Sequence, residues 1–400
     1  MEKKKVLFVI SSLDAGGAQR ALSNIVCNFP DEWDIDILLN NSDNIVYPYK
    51  GRIASLNIKN VRKKDGIAYQ FKVFIKRLHV LRKMKKQNKY KACISFLDSA
   101  NIANIITGNK YGKTIVSVRI NLTETMKTSI NYKYIVAPFV KLLYRKADYV
   151  VGCSKDVSND LINNFNIPFD KVTTIYNGYN IKKIQENSKI ELSKEEKELF
   201  FNSKVIVTSG RLEIQKGQWH LIKAFQEVIS EIPSAKLLIL GDGNLEQNLK
   251  LLVKKLNLGK NVFFLGFQTN PYNLIRNSDI FVLPSLYEGF PNALAEALIC
   301  GKVCVATDFR SGAREILSPD LFDSNLILNH VFYGKYGIII PCMNNEFDKD
   351  DYKREKNLAK IIVEVLTDKQ IGMDYALKIQ DYINTLSIEK SVKSWINLIK

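Results

Sequence analysis

The chain opens on a nearly unbroken apolar run in "KVLFVISS", turns at two glycines, and continues as "AQRALSNIVCNF", where apolar positions recur at helical spacing. A second short run, "DIDILLN", follows. The rhythm returns in "KACISFLD", "TIVSVRI", "YVVGCS" and "VTTIYNG", each short, apolar and set between helical segments. Runs too short for helices and apolar on both faces predict strands of a parallel sheet with helices covering both sides. From Tyr179 to Phe200 the pattern lapses into polar residues, "NIKKIQENSKIELSKEEKEL", which by composition is a linker. The rhythm then restarts. Strands "KVIVTSG", "AKLLILGDG", "NVFFLGF", "DIFVLPS", "KVCVATD" and "YGIIIP" alternate with helices such as "GQWHLIKAFQEVIS" and "LEQNLKLLVKKLN". The pattern predicts an α/β chain of two doubly wound, Rossmann-like parallel-sheet domains, 1–180 and 181–385. The amphipathic stretch 386–400 is expected to form a helix crossing back to the first domain. Two such sheets facing each other would place the carboxyl ends of both sets of strands on a central cleft, where open α/β sheets bind ligands.

Length agrees: 400 residues exceed one ordinary core and suit two domains. The six cysteines (Cys27, Cys93, Cys153, Cys300, Cys304, Cys342) form no C-x-x-C pair, which points to a reducing compartment and away from structural zinc. The basic start "MEKKKVLFVISSLDAGG" has too short an apolar core for a signal peptide, and no stretch approaches the ~20 apolar residues of a membrane span. The expected location is cytoplasmic, peripheral on the inner face of the membrane.

Charge changes the picture further. The net charge of +17 is uneven: 29 Lys and Arg stand against 14 Asp and Glu up to Asn180, and 29 against 27 thereafter. A generally lysine-rich proteome would not produce that asymmetry. A basic half faces something anionic, either nucleic acid or an acidic lipid leaflet. The charge is densest from Arg62 to Lys91, with twelve cations and one acid, Asp65. There Phe71, Phe74, Ile75, Leu78, Leu81 and Met84 recur at helical spacing, with Lys72, Lys76, Arg77, Lys83 and Lys86 between them. The expected arrangement turns the apolar stripe inward and the charges toward lipid phosphates. The plainer one is a core-packed helix with a cationic outer face.

Two stretches of the second half carry candidate chemistry. In "VTSGRLEIQKGQWHL" a strand ends at Ser209-Gly210, and Arg211 and Lys216 flank one loop before a helix. A guanidinium fork, a compact ammonium and free helix amides together suit a diphosphate. A lysine on a solvated helix start is the alternative. In "LPSLYEGFPNALAEALICG", Glu288 lies in the loop after a strand, Pro291 stands where a first helical turn accepts it, and Glu296 projects from the helix that follows. Carboxylates can grip paired sugar hydroxyls, one on a hexose and one on a ribose. The competing reading leaves Glu288 solvated and lets Glu296 cap a neighbouring loop. In the first half, "ISFLDSANIANI" puts Asp98 at a strand end, open either as an acceptor contact or as a helix cap. The three histidines, His79, His220 and His330, read as structural or surface residues.

Taken in order, "SSLDAGGAQRAL", "GRLEIQKG", "LGDG", "VFFLGF" and "DIFVLPSLYEGFPNALAEALICGKVCVATD" resemble the family-4 retaining glycosyltransferases of the GT-B fold. The signature of that family is a Glu, seven residues and a second Glu, here Glu288 and Glu296. The resemblance spans nearly the whole chain and is weakest over 39–90 and 318–336. It implies that Arg211 and Lys216 bind the donor diphosphate and stabilise it as it leaves, with Gly210 at the same strand end. Glu288 would hold the transferred sugar's hydroxyls and Glu296 the ribose. Backbone around Phe290, Pro291, Asn292 and Ala293 would meet phosphate or sugar oxygens, and Gly266 and Phe267 would lie near the base. Gly16 and Gly17 would let the first-domain loop approach the phosphates. Where the family commonly places a histidine, this chain has "SVRIN", so Arg119 is open either as a sugar or diphosphate contact or as a salt bridge closing the cleft. No cofactor or metal is implied; the substrate is a nucleotide-sugar, with UDP favoured over GDP. The acceptor would be a glycan or a polyprenyl-diphosphate-linked sugar, reached at an anionic inner leaflet through Arg62–Lys91, and no nucleic-acid partner is expected. Two other readings compete: a basic nucleic-acid-binding protein, and a nucleotide-sugar epimerase or phosphorylase of the same architecture.

Overall fold

The computed structural model describes residues 3–14, 16–58, 66–309, 311–321, 326–347 and 349–400. Two compact units divide the chain: 1–178 together with 387–400, and 179–386.

The first unit is built on seven strands: β1 (Lys4–Val9), β2 (Trp33–Leu39), β3 (Arg52–Ser55), β4 (Ala92–Phe96), β5 (Lys113–Val118), β6 (Tyr149–Gly152) and β7 (Val172–Thr174). They lie in the order β3-β2-β1-β4-β5-β6-β7, all parallel. Strand β1 shows why these runs are apolar throughout: Val6 and Phe8 enter a core with Leu22, Ile37 and Trp395, while Leu7 and Val9 enter another with Leu78, Leu81 and Tyr90. Both faces are covered, so no polar alternation survives. The terminal helix Ile388–Ile399 is part of this unit. Its Trp395 ring lies 5.9 Å from that of Phe96, and the Ser391 hydroxyl donates to the Tyr176 carbonyl at 2.9 Å.

The second unit repeats the plan with β8 (Lys204–Ser209), β9 (Ala235–Leu240), β10 (Val262–Gly266), β11 (Ile280–Leu283), β12 (Cys304–Thr307), β13 (Phe332–Tyr333) and β14 (Ile338–Ile340). Their order is β10-β9-β8-β11-β12-β14-β13, parallel except for the β13–β14 pair. Strand order therefore reverses between β1 and β4 in one unit and between β8 and β11 in the other. Loops leaving two such strands diverge and open a crevice at the carboxyl edge. The expectation of two doubly wound α/β domains holds.

Three local expectations are corrected. The polar stretch read as a linker folds as helices Ile181–Ser188 and Lys194–Phe200, the latter opened by a capping box in which Ser193 and Glu196 satisfy each other's backbone amides. Pro291 is the residue before the helix Asn292–Ile299 rather than inside its first turn. The helix Ile67–Asn88 buries Val73, Arg77, Leu78, Leu81 and Lys85 and turns Phe71 and Ile75 to solvent. Register places Ile75 off the face that 74, 78 and 81 share and Arg77 on its edge; Phe71 lies on that face yet is 64% exposed, in the second turn of the helix. Arg62–Asp65 lie outside the described residues. Among the described residues no helix is long and apolar enough to cross a membrane.

Candidate active site

In the second unit, the loops after β8 and β11 are fastened to each other. Gly217, at φ +60°, sits where a Cβ would come within 2.3 Å of the Pro284 carbonyl oxygen, so only glycine lets the loops approach this closely. The Leu286 amide donates to the Gln215 carbonyl at 2.8 Å, and Gln215 Nε2 donates to the Tyr287 carbonyl at 2.9 Å. Within that frame Lys216 Nζ lies 2.5 Å from Glu288 Oε1, with side chains only 16% and 8% exposed. The same oxygen accepts from Ser285 Oγ at 2.8 Å, and Oε2 accepts from Gln215 Nε2 at 3.1 Å. The Ser311 hydroxyl holds the Glu288 carbonyl, and that of Thr307 holds Ser285 through its carbonyl. One carboxylate thus takes three donors, two neutral and one cationic, which fixes its position and leaves little freedom to the ammonium beside it.

The other candidate residues of the second unit have separate surroundings. Arg211 leaves β8 beside Gly210 but is 55% exposed, and its Nη1 is 3.3 Å from Glu213 Oε1. It does not join the Lys216–Glu288 pair. Its carbonyl accepts from Gln218 Nε2 at 3.1 Å, which ties the loop to the next helix. The Gly241-Asp242-Gly243 turn abuts this loop, with the Leu212 amide 2.7 Å from the Asp242 carbonyl. Glu296 is buried on the helix Asn292–Ile299. One turn on, the Cys300 thiol is pushed up to about 12 by burial and, secondarily, by the Glu296 charge. Phe290 and Pro291 are buried where the loop enters that helix, Ala293 follows in its first turn, and Asn292 Oδ1 accepts from the Tyr179 hydroxyl at 2.7 Å. Gly312, at φ +92°, packs against Pro291 so tightly that a Cβ would be 2.4 Å from its Cδ. Gly266 accepts from the Gly241 amide at 2.7 Å, and Phe267 beside it is exposed. Gln215, Ser285 and Ser311 hold Glu288, yet nothing in their sequence pattern singled them out.

The first unit has its own candidate residues, in the loops after β1, β4 and β5. Gly16 precedes the helix Gly17–Cys27 in extended backbone, at the end of the loop after β1. Asp98 starts the helix Asp98–Thr107 directly beyond β4, but its side chain caps nothing. Its two oxygens accept from the Tyr132 and Tyr144 hydroxyls, at 2.9 and 2.6 Å. Burial raises its pKa against the lowering pull of those two donors. Arg119, after β5, donates to Asn177 Oδ1 and lies 5.7 Å over the Phe96 ring. His220, in the second unit, is structural: its ring nitrogens lie 2.7 Å from Glu355 Oε1 and 2.9 Å from the Asn344 carbonyl.

Geometry of this kind, at the carboxyl edges of two doubly wound sheets, fits an enzyme that handles phosphates and hydroxyls. Residues 189–325 match the family described as glycosyl transferases group 1, and residues 115–183 match glycosyltransferase family 4. An uncharacterized glycosyltransferase of Methanocaldococcus jannaschii is 34% identical over 355 residues, covering 85% of this chain and 86% of that one. The N-acetylgalactosamine-N,N'-diacetylbacillosaminyl-diphospho-undecaprenol 4-alpha-N-acetylgalactosaminyltransferase of Campylobacter jejuni is 30% identical over 324 residues, covering 80% and 85%. Among solved structures, Anabaena HepE in complex with UDP and glucose superposes with a TM-score of 0.73 at 18% identity, covering 98% of each chain. The chain belongs to glycosyltransferase family 4 and is a glycosyltransferase. Membership decides for the transferase over the nucleic-acid-binding and epimerase or phosphorylase readings.

Proposed function

We propose that the chain moves a hexose or N-acetylhexosamine from a UDP-sugar to an acceptor carried on a polyprenyl diphosphate, with retention at the anomeric carbon, at the inner face of a membrane. The observation that carries the donor half is the Lys216–Glu288 pair at the β8/β11 reversal, with Arg211 on the same loop. Breaking the anomeric C–O bond builds positive charge on the sugar and negative charge on the departing diphosphate. In this reading Lys216 and Arg211 meet the diphosphate, while Glu288, held by Gln215 and Ser285, accepts from sugar hydroxyls. Glu296 would hold the ribose. Gly16 and Gly17 would approach the phosphates, Gly266 and Phe267 the base, and Asp98 and Arg119 the acceptor or sugar. One well-placed charge-stabilising donor is worth about 3–4 kcal/mol in the transition state. No residue is required as a covalent nucleophile: a diphosphate oxygen can take the acceptor's proton as the new bond forms on the face the leaving group vacates. The acceptor half is supported by the 30% identical relative that acts on an undecaprenol-linked sugar and by the cationic first unit.

Purified protein assayed with UDP- and GDP-sugars and a synthetic polyprenyl-diphosphate sugar tests the reading, with anomeric configuration read by NMR. Transfer from a UDP-sugar with retention is expected, and inversion or no transfer from any donor overturns it. Because the diphosphate's charge is assigned to side chains, EDTA should leave turnover within about twofold; a larger loss, restored by a divalent cation, would remove that assignment.

A further inference from the structure

The segment between β5 and β6 has more apolar surface than its packing uses. It runs through a π-helical turn, Tyr132–Val136, a helix, Ala137–Leu143, and a 3-10 turn, Tyr144–Lys146. Ala137, Val140 and Tyr144 face inward and are buried. On the other side Ile130, Tyr134, Ile135, Phe139 and Leu142 are between 51% and 78% exposed. A packed helix needs one apolar face; this segment has two, and a cluster of large exposed apolar residues marks a contact surface. Its charge indicates the occupant. From Thr125 to Ala147 there are five cations, Lys127, Lys133, Lys141, Arg145 and Lys146, and no acid. Lys127 pairs with Glu124 at 2.8 Å, and among the described residues no carboxylate pairs with the other four. Lys133 and Lys141 Nζ lie 5.3 and 5.6 Å over the Tyr134 and Phe165 rings. Exposed aliphatic and aromatic side chains on a segment rich in cations and free of acids complement an anionic lipid surface, where the apolar groups enter the acyl boundary and the cations meet phosphates. A protein partner of matching shape would have to supply several carboxylates around an apolar centre, whereas an anionic bilayer supplies both continuously.

We propose that the outward face of residues 130–146 docks the enzyme on an anionic bilayer. The assignment rests on the lipid-linked acceptor reading and makes it more specific, because the segment is anchored at the candidate acceptor contact: Tyr132 and Tyr144 both donate to Asp98, directly after β4. The docking surface and the carboxyl edge of the first sheet are thus joined by two hydrogen bonds. This puts the proposed membrane contact on the segment beyond β5 rather than on Arg62–Lys91, where the sequence pattern places it.

Co-sedimentation of the full chain with phosphatidylcholine vesicles, with and without phosphatidylglycerol, tests the proposal. Wild type should bind the anionic vesicles preferentially. The triple variant Ile135→Ser/Phe139→Ser/Leu142→Ser should lose at least tenfold in vesicle affinity, and Phe71→Ser/Ile75→Ser less than threefold. Lys133→Gln/Lys141→Gln/Arg145→Gln should weaken binding and flatten its salt dependence. All three substituted sets are exposed, so thermal unfolding should be unchanged. UDP-sugar hydrolysis by the triple variant should match wild type, which separates the two readings: lost docking with intact hydrolysis supports both, and absent hydrolysis in wild type overturns only the function. Wild-type sedimentation by the triple variant, or no binding of anionic vesicles by wild type, overturns the docking face. A triple variant that changes a dimer to a monomer while still binding vesicles would assign the face to a second copy instead.

Discussion

Lys216 and Arg211 are five residues apart on one loop and in different physical states, and their variants should separate accordingly. Lys216 is mostly covered and bonded to Glu288 at 2.5 Å. Truncating either partner strands a largely buried charge, so Lys216→Ala and Glu288→Ala should each lower stability by about 3 kcal/mol in urea titrations as well as cut turnover by about 10²–10³-fold. Arg211 is exposed, and its guanidinium lies 3.3 Å from Glu213. Arg211→Ala should leave stability within about 0.5 kcal/mol and still cut turnover by a similar factor. Equal stability losses for all three would show that Arg211 is a structural residue. Asp98 gives a pH-dependent case. Burial raises its folded pKa, so the folded state binds its proton more tightly than the unfolded chain does, and stability falls as pH rises from about 4 through the raised value. Asp98→Asn cannot ionise, so its stability relative to wild type should increase between pH 4 and pH 7; a constant difference would rule out the buried ionisation. The sequence reading singles out Arg211, Lys216, Glu288 and Asp98 because unusual charge at a strand end stands out. It missed Gln215, Ser285 and Ser311, ordinary polar residues whose role appears only when two loops distant in sequence meet.

At the level of elements, interior strands were the easiest to read, since burial on both faces leaves nearly pure apolar runs such as "KVLFV". Strand β3, "RIAS", is an edge strand with no buried residue, and β13 has two residues, so neither carries that pattern. The helix Ile67–Asn88 shows the opposite failure. A lysine or arginine on a helix reads as solvated, yet Arg77 is buried against Ser99 Oγ and Asn40 Oδ1, both at 2.6 Å. Burial lowers its pKa to about 10, and the two neutral acceptors keep the charge tolerable. Lys85 goes further. Its ammonium donates to the Asn104 and Gly108 carbonyls at 3.0 and 2.6 Å and to the Asn104 and Thr107 side chains, closing the carboxyl end of the helix Asp98–Thr107. A cation there meets the helix dipole and the last unpaired carbonyls at once. Lys85→Ala should destabilise the chain by about 1–3 kcal/mol, since it takes the ammonium away from the buried Asn104 side-chain oxygen and the Gly108 carbonyl. Lys83→Ala, on the exposed side, should cost less than about 0.5 kcal/mol. The pair of urea titrations decides whether these cations serve packing or only solubility.

For the whole molecule, the informative quantity is where the charge lies rather than how much there is. The first 180 residues carry 29 cations against 14 acids, while the rest is nearly balanced. A field of that sign attracts an anionic surface over roughly a Debye length, about 10 Å at 0.1 M salt and about 3 Å at 1 M. The pair proposed to meet the donor is different: Lys216 and Glu288 are largely covered and in direct contact, where salt screens little. Acceptor and donor kinetics should therefore separate under ionic strength. With a polyprenyl-linked acceptor in phosphatidylglycerol vesicles, raising salt from about 0.05 to 0.5 M should raise the acceptor KM by about tenfold, while the UDP-sugar KM changes by less than about twofold. In pure phosphatidylcholine vesicles the acceptor KM should be high from the start and nearly independent of salt. If both KM values rose together in both kinds of vesicle, the charge would act through general screening of the protein, and the division of labour between a lipid-facing basic unit and a neutral donor unit would have to be given up.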